Sequence, residues 1–586
     1  MDTPSIHTID YITIVVYLLL MMGVGWAFKN FNKGISDYFK GGSRGTWWLV
    51  GMSMFMGTFS AWTFTGAAGV AYQAGWSASI IFLSTATGYL LNFICTGPWF
   101  RQIRVTTGPE VLRMRYGNGT QQYYAWISIV TGLLYAGLHL YGLSIFCSAV
   151  FGLPVEGVII VIGIAVLFYA TTGGSWAVMA TDFLQSLILL PITILVAWLA
   201  YRAIGGFGEL QAAVVAQGLS EDFKIVNSPG EFAAGAFTWG WVAAMFTKNV
   251  IAWNTLGSAT RFFALKDGRD ARKASLLCVV LMLMGAGIWF LPPMVARLLY
   301  SDQIEAIELG KSAEAAYAIV SMNLLPPGLM GLVVVAMFTA TMSSMDTGLN
   351  RNAAIIVKDV YPAFCRLLSK TPRSDEELLK ASRIVSLLLG IGIILLSLYY
   401  SKRAGAGVFE IMLSIGAYLS LPLSVPTLLG LFFKRVPGWA AVFSSLSAFC
   451  ASVYLGISPQ WGAPKVDFQV TVLIVLTVGT IAFFVSGFWW PKVSDAYRER
   501  VNAFFKNMYT PVDFEKEVGD ANDSHQLRLI GKIAVIVAAL VLLLIPFPET
   551  WADKVEVLFV SGFLFLVGGL MWLSGVRADR AKSKSL

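Results

Sequence analysis

The chain has 586 residues, of which 56% are apolar and only 13% are Asp, Glu, Lys or Arg. Soluble domains carry about 25% charged residues, so this composition excludes a water-soluble enzyme, and no catalytic activity is expected. The net charge of +8 comes from 42 basic and 34 acidic residues. In a chain this apolar their placement matters more than their sum, and nucleic acid is not an expected partner.

Apolar blocks of ~20 residues match a ~30 Å hydrocarbon core when each helical residue rises ~1.5 Å. Fifteen blocks can be read, beginning near Asp10, Trp47, Ser77, Gln121, Pro154, Ala177, Ala234, Ala274, Leu329, Ile384, Gly407, Gly438, Val470, Lys532 and Val555. The expected fold class is therefore an all-α polytopic membrane protein with about 15 transmembrane helices set in a lipid bilayer. Residues 1–10 carry no Lys or Arg, so the first block reads as a retained helix rather than a cleaved signal. With the N-terminus outside, the loops at 29–45, 101–116, 261–273, 358–383, 434–435, 491–532 and 576–586 fall inside. They hold 32 of the 42 Lys and Arg residues. That bias predicts a plasma-membrane protein with its N-terminus outside and its C-terminus in the cytoplasm. The five cysteines show neither a disulfide framework nor a metal spacing.

The second block, WWLVGMSMFMGTFSAWTFTGAAGVAY at 47–72, crowds Gly57, Thr58, Ser60, Thr63, Thr65, Gly66 and Gly69 together. Glycine weakens a helix, and hydroxyls satisfy the backbone groups that an interruption frees. The block reads either as a broken helix lining a cavity or as close packing of small residues. In the ninth block Ala340, Ser343, Ser344 and Thr347 are spaced i, i+3, i+4 and i+7 and share one helix face. Na⁺ is a hard cation that needs several oxygens, which hydroxyls and bared carbonyls supply. At ~1.5 Å per residue Ser343 lies ~21 Å from the inner end of its helix, and Met56 and Phe59 ~14–18 Å from theirs. The two segments therefore meet at similar depth.

Three charges fall well inside blocks: Asp182, Lys248 and Asp346. A charge at the bilayer centre costs at least ~2.5–3.5 kcal/mol, so each needs a partner or a wet cavity. Lys248 reads either as the partner of Asp346 or as a contact for an anion. Arg351 can snorkel to the inner face, His139 reads as a packing residue, and Glu410 as interfacial. Nothing matches a nucleotide-binding Gly-rich loop, an arginine-rich voltage sensor or a TVGYG filter. A gradient-driven carrier is the remaining class.

Six segments in order resemble the sodium:solute symporter family, which includes sodium-coupled glucose, proline, sialic acid, pantothenate and iodide transporters. They are GAAGVAYQAG at 66–75, GPEVLRMRYG at 108–117, GGSWAVMATDFLQ at 173–185, RFFALKDGRDAR at 261–272, ATMSS at 340–344 with KDVY at 358–361, and GLFFKR at 430–435. The resemblance covers roughly residues 10–440. It implies two inverted five-helix repeats with broken helices, alternating access, and Na⁺ as the coupling ion without an organic cofactor. It also implies a main sodium site from the carbonyls of Met56, Phe59 and Ala340 and the hydroxyls of Ser343 and Ser344. A second sodium site, found in some members, would fall on Asp182, Asp346 and Thr347; here Asp346 stands where a hydroxyl is usual.

These readings combine into a symporter that accumulates a small polar organic solute with Na⁺, most simply as a monomer. Substrate contacts are expected from Ser60, Trp62, Thr63, Lys248, Asn249 and Asn254. The hydroxyls of the second block lean towards a sugar or polyol, and Lys248 leans towards an organic anion. A proton-coupled carrier using Asp182 or Asp346 is the other alternative. The expected division is residues 1–45 before the core, an inverted-repeat transport core at 46–436, and accessory helices at 437–586 with a cytoplasmic connector at about 491–531.

Overall fold

The computed structural model describes residues 6–28, 41–170, 175–255, 259–307, 309–369, 375–402, 407–519 and 523–585. The side chains of some helical residues, Asp346 and Thr347 among them, also lie outside the described residues. The described chain is built of helices, with one isolated bridge between Gly45 and Leu265. Every one of the fifteen apolar blocks coincides with a helix or a broken helix. Among the described residues eleven helical stretches are long and apolar enough to cross a membrane. Thr8–Leu20 and Val155–Leu167 are shorter apolar helices, and Trp239–Ala252 has 14 residues.

The helix Leu329–Ile355 is the central post. Its most apolar stretch is buried throughout, and it packs against Ser175–Ala203, Asn118–Phe151, Thr8–Phe28, Asp375–Ser401 and Trp47–Thr58. Trp239–Ala252 stands elsewhere, against Ser79–Leu91, Phe468–Ser486 and Leu421–Phe432. The last two helices, Asp523–Leu542 and Trp551–Ser585, pair tightly with each other. A Cβ at Gly531 would come within 2.5 Å of the Trp572 amide nitrogen, so glycine is what allows this backbone approach.

The hydrophilic stretch before them folds in part into the helix Asp495–Tyr509, which buries Val501, Phe504, Phe505 and Met508. It lies on the face that carries the basic loops. There Arg104 Nε donates to Glu517 Oε2 at 2.6 Å, and this hydrogen bond holds the Glu517 carboxyl below its usual range. Arg115 donates to the carbonyls of Gly430, Phe433 and Lys434, at 3.2, 2.9 and 3.1 Å.

The opposite face is sealed. Phe64 packs edge-on against Tyr317 with ring centroids 4.7 Å apart, and a Cβ on Gly66 would meet the Phe409 amide nitrogen at 2.9 Å. Glu314, 3% exposed, accepts a hydrogen bond from the Val408 N–H at 2.6 Å, capping the helix Val408–Ile415. Lys311 pairs with Glu410 beside it. Burial pushes the Glu314 carboxyl up to about 8; the Val408 and Phe409 amides and Lys311 oppose that shift, and Glu410 adds to it.

Candidate functional site

The second block is interrupted. Trp47–Thr58 ends where Phe59 turns extended (φ −100, ψ 128), and Ser60 is fully extended (φ −154, ψ −178). A four-residue helix, Ala61–Phe64, follows before helical geometry is lost again at Thr65 (φ −116, ψ −83). Gly66–Ala74 then completes the crossing. A break at membrane depth is tolerated only if the freed backbone groups find partners, and the central post supplies them. Thr341 Oγ1 accepts from the Ala61 N–H at 3.0 Å. Ser344 Oγ donates to the Phe59 carbonyl at 3.2 Å and to the Ala340 carbonyl at 3.4 Å. An aromatic stack of Phe55, Phe59 and Trp289 backs the break, with Phe59 and Trp289 centroids 4.4 Å apart.

Two carbonyl oxygens, one from the break and one from the central post, thus lie within hydrogen-bond distance of the Ser344 hydroxyl. A cation held at ~2.4 Å, close to the range of oxygen-bound Ca²⁺, sets neighbouring ligands ~3.4 Å apart. On the preceding residue Ser343 Oγ is buried with no close hydrogen-bond partner, as is Asp182 Oδ1 on the adjoining helix, and the two side chains are near neighbours. Buried hydroxyls and carboxylates are almost always satisfied, so these orphaned acceptors suit a cation. The other carboxylate oxygen, Asp182 Oδ2, accepts from Ser53 Oγ and from Arg261 Nη2 at 3.4 Å. The Met56 carbonyl lies in the last turn before the break, accepting the Phe59 N–H at 3.3 Å. The predicted positions Asp346 and Thr347 share the helix of Ser343, but their side chains lie outside the described residues.

Beside the break opens a cavity of about 360 Å³, within the size range of small-molecule sites. It runs from Trp62 and Phe409, under the sealed face, to Gly108, Thr260 and Thr427 near the basic-loop face. Of the six predicted substrate contacts, Trp62, Lys248 and Asn249 line it. Ser60, Thr63 and Asn254 do not. Ser60 Oγ bonds His139 Nδ1 at 2.8 Å. Asn254 is tied into the helix contact, donating to the Gly88 and Val250 carbonyls at 3.0 and 2.7 Å and accepting from Thr96. Asn249 reaches Ser84 Oγ at 2.7 Å from the cavity wall.

Sequence reasoning passed over His139 and Arg351, both of which line the cavity. His139 is not mere packing, because it holds the break through Ser60. Arg351 does not simply reach the inner face: Ser344, Gly348 and Arg351, at i, i+4 and i+7, form a stripe along the cavity. That stripe was the available signal.

A family model, the sodium:solute symporter family, matches residues 38–448. The chain belongs to that family. It is a multi-pass membrane transporter and not an enzyme. The symporter is similar to sodium/glucose cotransporter 1 of Oryctolagus cuniculus, 27% identical over 482 residues that cover 75% of this chain and 70% of the relative. It is likewise similar to sodium/myo-inositol cotransporter 2 of Homo sapiens, at 27% over 472 residues, covering 75% and 68%. Its fold matches the substrate-bound outward-open state of a Na⁺-coupled sialic acid symporter with a TM-score of 0.70 at 20% identity, over 83% of this chain and 98% of the other.

Proposed function

We propose that this symporter couples inward Na⁺ flux to uptake of a small polar organic solute by alternating access. The observation that carries the reading is the Ser344 hydroxyl joining the Phe59 and Ala340 carbonyls beside the orphaned Ser343 hydroxyl. Na⁺ held by Met56, Phe59, Ala340, Ser343 and Ser344 ties the broken helix to the central post. Coupling then follows because ion and solute favour the same conformation. Asp182 is the acid of a second sodium site, to which Asp346 and Thr347 are the remaining contributors. Ser53 and Arg261 already hold one of its oxygens, and the other is left for the ion.

The positive-inside rule makes the basic-loop face cytoplasmic, so the cavity opens inward and the Glu314 seal is extracellular. Residues 46–436 act as the transport core and 437–586 as accessory helices, in a plasma-membrane monomer. The solute site is the cavity beside Trp62, Lys248 and Asn249. The sugar or polyol reading rests on hydroxyls that are largely spent: Thr58 donates to the Phe55 carbonyl at 2.6 Å and Thr65 to the Ala61 carbonyl at 3.0 Å. The names of the relatives support a polyhydroxylated solute. The test is thermal unfolding of the purified chain in Na⁺, K⁺ or choline at equal ionic strength. A melting temperature that climbs with Na⁺ alone supports the reading, and superimposable curves sink it.

A further inference from the structure

The break after Trp47–Thr58 is held residue by residue. From the central post, Ser344 donates to the Phe59 carbonyl and Thr341 accepts from the Ala61 N–H. Ser60, between them and 0% exposed, is held from elsewhere: its hydroxyl bonds His139 Nδ1 at 2.8 Å, on the helix Asn118–Phe151. That helix comes close here, since a Cβ on Gly142, three residues beyond His139, would stand 3.4 Å from the Trp62 amide nitrogen. In the other direction Tyr135, Gly132 and Ser128 follow at helical spacing and line the cavity. His139 therefore stands where the cavity-lining stripe of this helix reaches the break, at the end of the cavity that Trp62 occupies.

The hydrogen bonds set the tautomer of the ring. A buried hydroxyl needs an acceptor for its hydrogen, and within the described residues the Ser60 hydroxyl bonds His139 Nδ1 alone. Ser60 Oγ therefore donates, Nδ1 accepts, and the ring proton sits on Nε2. The two ring nitrogens point away from each other. With Nδ1 turned to the break and the ring on the cavity wall, Nε2–H is a donor offered to whatever fills the cavity.

We infer that a hydroxyl oxygen of a polyhydroxylated solute accepts a hydrogen bond from His139 Nε2, and that the imidazole relays solute binding through Ser60 to the Phe59 carbonyl of the sodium site. This deepens the solute and sodium assignments proposed above and rests on them. A solute that fixes the ring fixes Ser60, one peptide unit from the carbonyl that faces the Ser344 hydroxyl. Na⁺ orders the same segment from its other side, so each ligand raises the affinity of the other by the same factor.

The experiment is a melting-temperature titration of the full-length purified chain with D-glucose, D-galactose and myo-inositol, in Na⁺ and in K⁺ at equal ionic strength. At least one solute should stabilise the parent, with half-saturation severalfold lower in Na⁺ than in K⁺. His139→Asn keeps an acceptor for Ser60 but falls short of the cavity. Its melting should still climb with Na⁺ as in the parent, which shows that it is folded, while solute half-saturation rises roughly tenfold. His139→Gln carries its amide towards the Nε2 position and gives up the Nδ1 acceptor, and Ser60→Ala removes the same link with the imidazole intact. Both should keep solute affinity in K⁺ within about threefold of the parent while the advantage of Na⁺ over K⁺ disappears. The inference is overturned by undiminished solute affinity in His139→Asn, or by an unchanged Na⁺ advantage in both His139→Gln and Ser60→Ala. It is also overturned by silence from all three solutes in a parent whose melting still climbs with Na⁺, a result that leaves the sodium reading standing. A parent that binds solute equally in both ions removes sodium coupling and the relay with it, and the His139 contact is then decided by His139→Asn alone.

Discussion

Ser343→Ala separates a structural role from an ion-binding role, because the hydroxyl it removes is buried without a close hydrogen-bond partner and has only the Asp182 carboxyl beside it. In the absence of Na⁺ the substitution takes away a desolvated group whose unmet bonding costs about 1–3 kcal/mol. The Na⁺-free protein should therefore melt at the same temperature as the parent or slightly above it. With Na⁺ present the account changes sign. One oxygen of a five-member shell is lost, and a tenfold weaker affinity corresponds to ~1.4 kcal/mol. At Na⁺ about 100-fold above the parent dissociation constant, binding stabilises the parent by ~2.7 kcal/mol and the variant by ~1.4 kcal/mol. The assay is a Na⁺ titration of melting temperature at constant ionic strength for both proteins. Equal half-saturation in the two would refute the reasoning, as would a loss of stability that is the same with and without Na⁺.

Asp182→Asn keeps the hydrogen-bonding shape beside Ser53 and Arg261 but removes the charge, so the Hill coefficient of sodium-dependent stabilisation should fall from clearly above one towards one; a parent coefficient of one would eliminate the second site. Glu314 sits in the seal with its carboxyl raised to about 8, against about 4.3 for a free glutamate. Its protonated form favours closure, and that advantage is lost as external pH rises from the lower value through the higher one. Labelling of an engineered cysteine at Met412, in the cavity one turn below Val408, should therefore speed up between pH 6 and 9 by roughly the fraction ionised, and Glu314→Gln should flatten the profile. Gly66→Leu should hold the same seal ajar, since even a Cβ there meets the Phe409 amide at 2.9 Å; labelling at Met412 as slow as in the parent would count against that packing.

Helix positions were legible because apolar runs of membrane-spanning length leave few alternatives. The break at Phe59 was only half legible, since the glycines and hydroxyls from Gly57 to Gly69 suit an interrupted helix and close packing of small residues equally well. Its meeting with Ser344 followed from the common depth of the two segments. The substrate contacts were harder to read, because side-chain direction around a break does not follow helical periodicity. Ser60 and Thr63 belong to the broken segment yet turn away from the cavity, whereas Trp62 between them faces it. Arg351 was missed because its distance from the inner end suggested snorkelling, and only the packed helices around it reveal an inward-opening cavity. The connector's role in clamping Arg104 through Glu517 depended on a partner 413 residues away, which no local pattern announces.

The central claim is that Na⁺ bound between the broken helix and the central post closes the cavity on its cytoplasmic side. It can be measured without knowing the solute, by placing a cysteine at Thr427 on the inner cavity wall and following its reaction with a membrane-impermeant maleimide in inside-out vesicles. The account predicts severalfold slower labelling in Na⁺ than in K⁺, with the difference abolished by Ser343→Ala. Labelling at the same rate in both ions, with the Ser343 site intact, would contradict it.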